Sequence, residues 1–361
     1  MTAKLLNLLD LYEQSMIKRK HKTCRCPLYI FILYIMVFSG FSSFRLFRND
    51  VTESKNPKTE ILIPTGSSYD DAVEILVDNK IVKRQKFNQY AGLYGYDKVK
   101  GGRYIVEKGT SYRKLVKMLN AGNQTPVNMV ISGNIRTKDK LAGIISKQIE
   151  ADSAVISDLL NDENLLAELG FNSENAILLF IPDTYNVYWN RNPRQLFRDM
   201  KKRYDNFWNE SRLKKLEALE LTKEEVMITA SIVAEESSKN DELKRIAGVY
   251  INRLNRGMLL QADPTVKYAV GDFGLKRILI KHTQFDSPYN TYIYKGLPPG
   301  PICIPSIAAV DAVLNREHHD YLYFCAKDDY SGYHVFAKTL QQHNQNANAY
   351  RSALNKNKIF R

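Results

Sequence analysis

Apolar positions fall into three regimes along the chain. From Cys26 to Phe44 no charged residue interrupts the run. Between residues 60 and 150, short β-branched stretches alternate with helical stripes. Beyond 150, helical stripes dominate until two β-like runs near the C terminus. Nineteen uncharged residues, at about 1.5 Å of rise each, reach roughly the thickness of a bilayer's hydrocarbon core. Lys4, Lys18, Arg19, Lys20, Lys22 and Arg25 all precede that run, which predicts residues 1–25 in the cytoplasm and the rest of the chain on the outer, periplasmic side. FSGFSSF offers no clear small-x-small cleavage site, so the pattern predicts an uncleaved single-pass transmembrane helix over 26–45. Residues 46–60 are polar and irregular and read as a linker.

An internal repeat follows. Thr65–Leu76 and Lys108–Leu119 share a β-branched lead-in, a turn at Gly, a Ser cap and a short amphipathic helix. In the second copy Tyr112, Leu115, Val116 and Leu119 lie at i, i+3, i+4 and i+7, one apolar stripe. A weaker third echo begins at Val130. Together they predict a small α/β module over 61–150. The Gly- and Tyr-rich GLYGYDKVKGGRY lies between the copies.

Residues 151–361 form the second predicted domain. Helices are predicted at SDLLNDENLLAELG, capped at Ser157, and from Asn192-Pro193 onward. FIPDTYNVYWN between them is aromatic and bounded by a Pro turn. Thr222 and Glu225 form a capping box, and the helix after it, Val226 to Ala234, has almost no polar face. Such a helix belongs in a core. Glu235 and Glu236 stand at its inner end, about 100° apart on the helix, so they cannot serve one point in space. Glu236 shares a face with Thr229, Ile232 and Val233 and is the inward candidate; Glu235 is expected to face solvent. Asn240 or Asp241 caps a second helix with apolar Leu243, Ile246, Ala247, Tyr250, Ile251 and Leu254, closed by Gly257. Asp263-Pro264 reads as a cap and a first helical position, preceded by Gln261, a polar side chain in an apolar turn. Pro288 to Pro305 is a long extended loop. Ser306 caps a helix through Leu314, YLYFCAK and GYHVFAK read as a β-hairpin, and Thr339 caps the last helix. The fold class is α+β.

Composition narrows the function classes. The net charge is +13, but the Lys and Arg residues sit on solvated helix faces, not in a nucleic-acid stripe; a surface facing anionic polymers and lipid explains them better. No nucleic-acid partner is expected. Ser111 and Ser211 fit an S-x-x-K spacing, but neither S-D-N nor K-T-G follows. Glu317, His318 and His319 do not complete a zinc spacing, so no metal is expected. Cys303 and Cys325 could bridge in an oxidising compartment.

Four ordered stretches carry a resemblance: ASIVAEES (230–237), VYINRLNRGMLLQADPTVKYAVG (249–271), YNTYIYKGLPPGPICIPS (289–306) and YLYFCAK…GYHVFAKT…HN (321–344). They are similar to the successive motifs of the MltG (YceG-like) endolytic murein transglycosylases, over roughly residues 60–355. The resemblance implies a LysM-like module before a mixed α/β catalytic domain. It implies cleavage of the bond between N-acetylmuramic acid and N-acetylglucosamine in peptidoglycan glycan strands, with 1,6-anhydro ends and no cofactor. Ordinary glycosidases need two carboxylates; here one suffices, because the muramic O6 is the nucleophile. Glu236 aligns with the family's constant acid. The usual ASI-(I/V)-E-K-E form has its first acid where Ala234 stands, so Glu235 is a departure and the alternative acid. Gln261 and Asn290 are expected to orient the sugar, Tyr289 and Thr291 to line the cleft, and Asp183 and Tyr185 to lie beside it. Membrane attachment through 26–45 and partnership with peptidoglycan synthases follow by the same implication. The competing reading is a non-catalytic, membrane-tethered glycan-binding scaffold of the cell-wall elongation machinery.

Overall fold

The computed structural model describes residues 50–275 and 277–356. Residues 1–25, the predicted span 26–45 and the start of the linker lie outside them. Among the described residues no helix is long and apolar enough to cross a membrane. The described residues form two compact units, the first of residues 50–61, 66–100 and 104–123, the second mainly of residues 124–356.

The first unit runs β1 (Lys58–Ile63), α1 (Tyr69–Asp78), α2 (Arg84–Tyr94), β2 (Gly102–Glu107) and α3 (Tyr112–Ala121), with β1 and β2 paired. The two repeat copies become β1–α1 and β2–α3. Ser68 and Ser111 cap their helices by accepting the N–H of Asp71 and Lys114, each at 3.2 Å. The predicted stripe of α3 is wholly buried, and Tyr112 stacks on Tyr90 of α2 with ring centroids 5.3 Å apart. Residues 50–60 differ from a free linker. Thr52 N–H donates to Thr110 O and Glu53 N–H to Ile81 O, both at 2.7 Å, and Thr52 and Ser54 are buried. A polar stretch can be fixed by its backbone groups even where its side chains show no periodicity.

The second unit begins earlier than expected. The third echo supplies β3 (Val127–Ile131), which pairs antiparallel with β4 (Asp183–Val187), Met129 opposite Tyr185. α4 (Lys138–Ser146), α5 (Ser153–Leu159), α6 (Glu163–Leu169), a 3₁₀ turn at Ala176–Leu179 and α7 (Pro193–Phe207) complete a core with that pair. Residues 124–150 are thus tied to this unit by a strand partner some fifty positions away, which no local pattern discloses. The helix expected to be capped at Ser157 is two helices, capped by Asp152 and Asp162.

The rest packs around one buried rod. After α8 (Glu210–Leu219) comes α9 (Lys223–Glu236), capped by the Thr222–Glu225 box as predicted. Residues 226–233 of α9 are all buried. α10 (Leu243–Asn255), α11 (Asp263–Val270) and α13 (Ile307–Leu314) pack against α9; α12 (Ile280–Thr283) lies between α11 and α13 in the chain. Each large apolar side chain so enclosed is worth about 1.5–3 kcal/mol. Ser231, one of two polar residues in that stretch with Thr229, donates to Ile228 O at 2.7 Å and accepts the N–H of Ile302 at 3.1 Å, fastening the Pro-rich loop to the rod. β5 (Tyr323–Ala326) and β6 (His334–Ala337) form the predicted hairpin, Ala326 opposite His334, and α14 (Leu340–Lys356) follows. Cys303 and Cys325 are free thiols, so the permitted bridge is not formed.

Candidate functional site

The two acids ending α9 diverge as helix geometry requires. Glu236 opens into a cleft of about 440 Å³, walled by Tyr250 and Arg253 of α10, Gln261, Asp263 of α11, Tyr292 and the β5–β6 hairpin. Its Oε1 accepts a hydrogen bond from the Tyr250 hydroxyl. Burial raises the Glu236 carboxyl to about 7; the Tyr250 hydrogen bond opposes this, and the negative charge of Asp263 adds to it. A carboxyl poised there can hold a proton near neutral pH and also release it. Burial and the facing Glu236 hold the Tyr250 phenol well above its ordinary value, so it remains a donor.

Glu235 does not face solvent. Its Oε2 lies 2.6 Å from Nη2 of Arg136 and its side chain is 14 % exposed. Arg136 in turn lies over the Phe273 ring, 5.1 Å from its centroid. The pair occupies a separate, small cavity together with Lys267 and Tyr268. Glu235 is therefore spent on an ion pair on another side of the helix from the cleft.

Gln261 shares the cleft with Glu236. Its backbone is left-handed, φ +51°, a strain of about 1–3 kcal/mol for a non-glycine residue. Two bonds hold it: its N–H donates to Thr291 O at 3.0 Å, and its Oε1 accepts from Arg253 at 3.4 Å. Arg253 is buried and also donates to Leu322 O at 2.6 Å and Leu260 O at 2.7 Å, tying α10, the Gln261 turn and the hairpin into one wall.

Five other expected residues lie elsewhere. Asn290 is fully buried and its amide is spent within its own loop: Nδ2 donates to Phe285 O at 2.7 Å and Thr283 O at 3.1 Å, and Oδ1 accepts the Tyr292 N–H at 3.0 Å. Thr291, also buried, accepts the Ala262 N–H at 3.0 Å and meets Thr265 Oγ1 at 2.8 Å. Both build the wall from behind. Tyr289 packs on Tyr268 and donates to Glu174 at 2.8 Å, outside the cleft. Tyr185 is a core side chain bonded to Ile181 O, and Asp183, at the exposed start of β4, accepts the Thr184 N–H at 2.7 Å. The aromatic run around β4, expected beside the cleft, alternates as any half-buried strand does.

Asp263, His343, His334 and Phe324 are among the residues that line the cleft without having been singled out for it. Asp263 follows the N-cap, Ala262, and has no capping bond; instead it accepts the Tyr292 hydroxyl at 2.6 Å. His343 of α14 stacks on Tyr323, centroids 5.3 Å apart, and burial pulls its pKa down. His334 sits on β6. The hint for it was the hairpin itself, whose Phe324 and His334 are brought to the cleft by cross-strand register. Near α10, Glu317 pairs with Arg245 at 3.0 Å and His319 Nε2 meets Arg245 O at 2.9 Å.

The profile of the YceG-like family matches residues 61–349. The endolytic murein transglycosylase of Bacillus subtilis (strain 168) is 30% identical over 326 residues, covering 83% of this chain and 88% of that protein. The protein of the same name from Streptococcus pneumoniae serotype 2 (strain D39) is 29% identical over 314 residues, 79% of this chain but only 57% of the longer streptococcal protein. The crystal structure of a yceG-like protein from Listeria monocytogenes superposes with a TM-score of 0.54 at 30% identity, covering 80% of this chain and 98% of that one.

Proposed function

The chain belongs to the YceG-like family, and from that membership we propose that it is an endolytic murein transglycosylase, an enzyme that cuts peptidoglycan glycan strands at the β-1,4 bond between N-acetylmuramic acid and N-acetylglucosamine and leaves 1,6-anhydro ends. The observation that carries the reading is Glu236: one acid at the end of a buried helix, opening into a cleft, its carboxyl raised to about 7 by burial. Protonated, it donates to the glycosidic oxygen as the C1–O4 bond breaks. The muramic O6 attacks C1 within the same ring, an intramolecular step that needs no water. The carboxylate left behind is a base within the cleft for the O6 proton. Gln261, held in a strained turn beside the acid, supplies an amide to the sugar; Asn290 and Thr291 keep that turn in place.

The remaining parts of the proposal rest on the sequence. The predicted span 26–45 anchors the enzyme in the cytoplasmic membrane with the catalytic unit outside, near nascent strands and the synthases that make them. The first unit serves as a LysM-like glycan-holding module. A second reading draws on Asp263, the other carboxylate of the cleft: a muramidase that uses water in place of O6. Purified peptidoglycan digested by the wild-type protein and by Glu236→Gln, with the products resolved by mass spectrometry, decides among them. Anhydro ends from the wild type alone support the transglycosylase. Reducing ends from the wild type point to the muramidase. No fragments from either protein leave the glycan-binding scaffold.

A further inference from the structure

Beside the Glu236 chemistry, one residue lining the cleft, His334, belongs to a pair that this chemistry does not use. Glu242 is 3% exposed, and both of its oxygens are given to one residue. Oε1 accepts the His334 backbone N–H at 2.9 Å, and Oε2 lies 3.0 Å from His334 Nδ1. Ser237 Oγ, at 3.5 Å, is a long third contact. Glu242 holds the N-cap position of α10 yet makes no capping bond. A carboxylate so deeply placed is costly unless paired, and a strand-to-helix tie alone would not require one. Its effect on the ring is specific. A carboxylate can only accept, so the contact places a proton on Nδ1, and in the neutral ring the lone pair is then on Nε2. The ring stands edge-on to Phe324, centroids 5.3 Å apart at 85°, which fixes its plane. Nε2 has no protein partner among the described residues, and His334 lines the same cleft as Glu236.

We propose that His334, oriented by Glu242, is the base that takes the O6 proton, leaving Glu236 as the acid alone. This rests on the transglycosylase reading and refines it. The O6–H bond breaks with its proton passing to Nε2, O6 bonds to C1, the C1–O4 bond breaks, and O4 takes the proton of Glu236. The step ends with an imidazolium against the Glu242 carboxylate and an ionised Glu236; one proton exchanged through solvent restores both, and nothing is oxidised or reduced. Dividing the work removes the need for a single carboxyl to reach both O4 and O6. Glu242 is a positioning residue: it sets the tautomer and meets no substrate.

The test uses the full chain in detergent micelles with purified peptidoglycan. In Glu242→Gln the carbonyl still accepts the backbone N–H, but the amide NH₂ faces Nδ1 and drives the proton to Nε2. A general base contributes about 10²–10⁴-fold, so kcat is expected to fall by at least about 100-fold in Glu242→Gln and in His334→Ala, with KM little changed. The double variant should be no worse than His334→Ala alone, because the two act as a unit. Added imidazole should restore turnover to His334→Ala and not to Glu236→Ala, a response that a merely structural histidine would not give. Wild-type kcat in Glu242→Gln, or a rise in KM alone in either variant, overturns the base assignment. If His334→Ala does not fold, Glu242→Gln decides. An inactive Glu236→Gln beside a fully active Glu242→Gln would leave the Glu236 reading standing and remove only the dyad.

Discussion

Replacing Glu236 with Gln should make the protein more stable at alkaline pH, and the size of the gain follows from its surroundings. In the folded chain the carboxyl is raised from 4.5 to about 7, chiefly by burial. Below pH 4.5 the group is protonated in both folded and unfolded chains. Between 4.5 and about 7 the unfolded chain gives up the proton while the folded chain keeps it, so stability falls as pH rises through that window and is level above it. At about 1.4 kcal/mol for each pH unit, the loss comes to about 3 kcal/mol. The amide does not titrate, and its carbonyl can still accept the Tyr250 hydroxyl. Urea unfolding of both proteins at several pH values isolates the effect, because every other titration cancels in the difference. The variant should gain about 3 kcal/mol over the wild type between pH 4 and pH 8 while losing glycan cleavage. A difference that stays flat across that range would mean that Glu236 is an ordinary solvated carboxylate, and one that runs the other way that the fold favours its charged form; the mechanism would fall with either.

Other consequences can be measured separately. The Tyr250 hydroxyl favours the ionised form of Glu236, so Tyr250→Phe should raise the carboxyl further and move the alkaline limb of the activity profile up by about one pH unit, the worth of a hydrogen bond to a charged group; a downward move would contradict this. Glu235→Gln should keep turnover within a few-fold of wild type, since Glu235 faces Arg136 and not the cleft. Arg136→Met, which strands that carboxylate largely buried, should lower stability by up to about 3 kcal/mol, less than a fully buried pair because Arg136 is partly exposed. Asn290→Ala removes donors to two carbonyls and an acceptor for one N–H and should destabilise by about 1–3 kcal/mol, with earlier proteolytic nicking around residues 283–292.

The Asn290 and Tyr185 placements show where reading a sequence stops. Both are polar or aromatic residues in stretches with functional character, and in both the hydrogen-bonding group is consumed internally. A buried amide that serves its own loop and one that serves a ligand have the same one-letter code. The same holds for Glu235 and Glu236: helix periodicity requires them to point apart, yet only the position of Arg136, about a hundred residues upstream, makes one an ion pair and leaves the other free for chemistry.

What the sequence by itself determined is what depends on neighbours in the chain: the capping box at Thr222 and Glu225, the all-apolar stretch of α9, the paired repeat copies, the hairpin, and the acid at the rod's end. These follow from local hydrogen bonding and from a period of 3.6 or 2 residues. The tertiary structure decided what depends on distant partners. It joined β3 to β4, moving the boundary between the units; it set Asp263 against Tyr292; and it brought Glu242 to His334 across ninety residues. Such pairings are set by packing of whole elements, and burial, which makes a carboxyl an acid at neutral pH, exists only once those elements have closed around it.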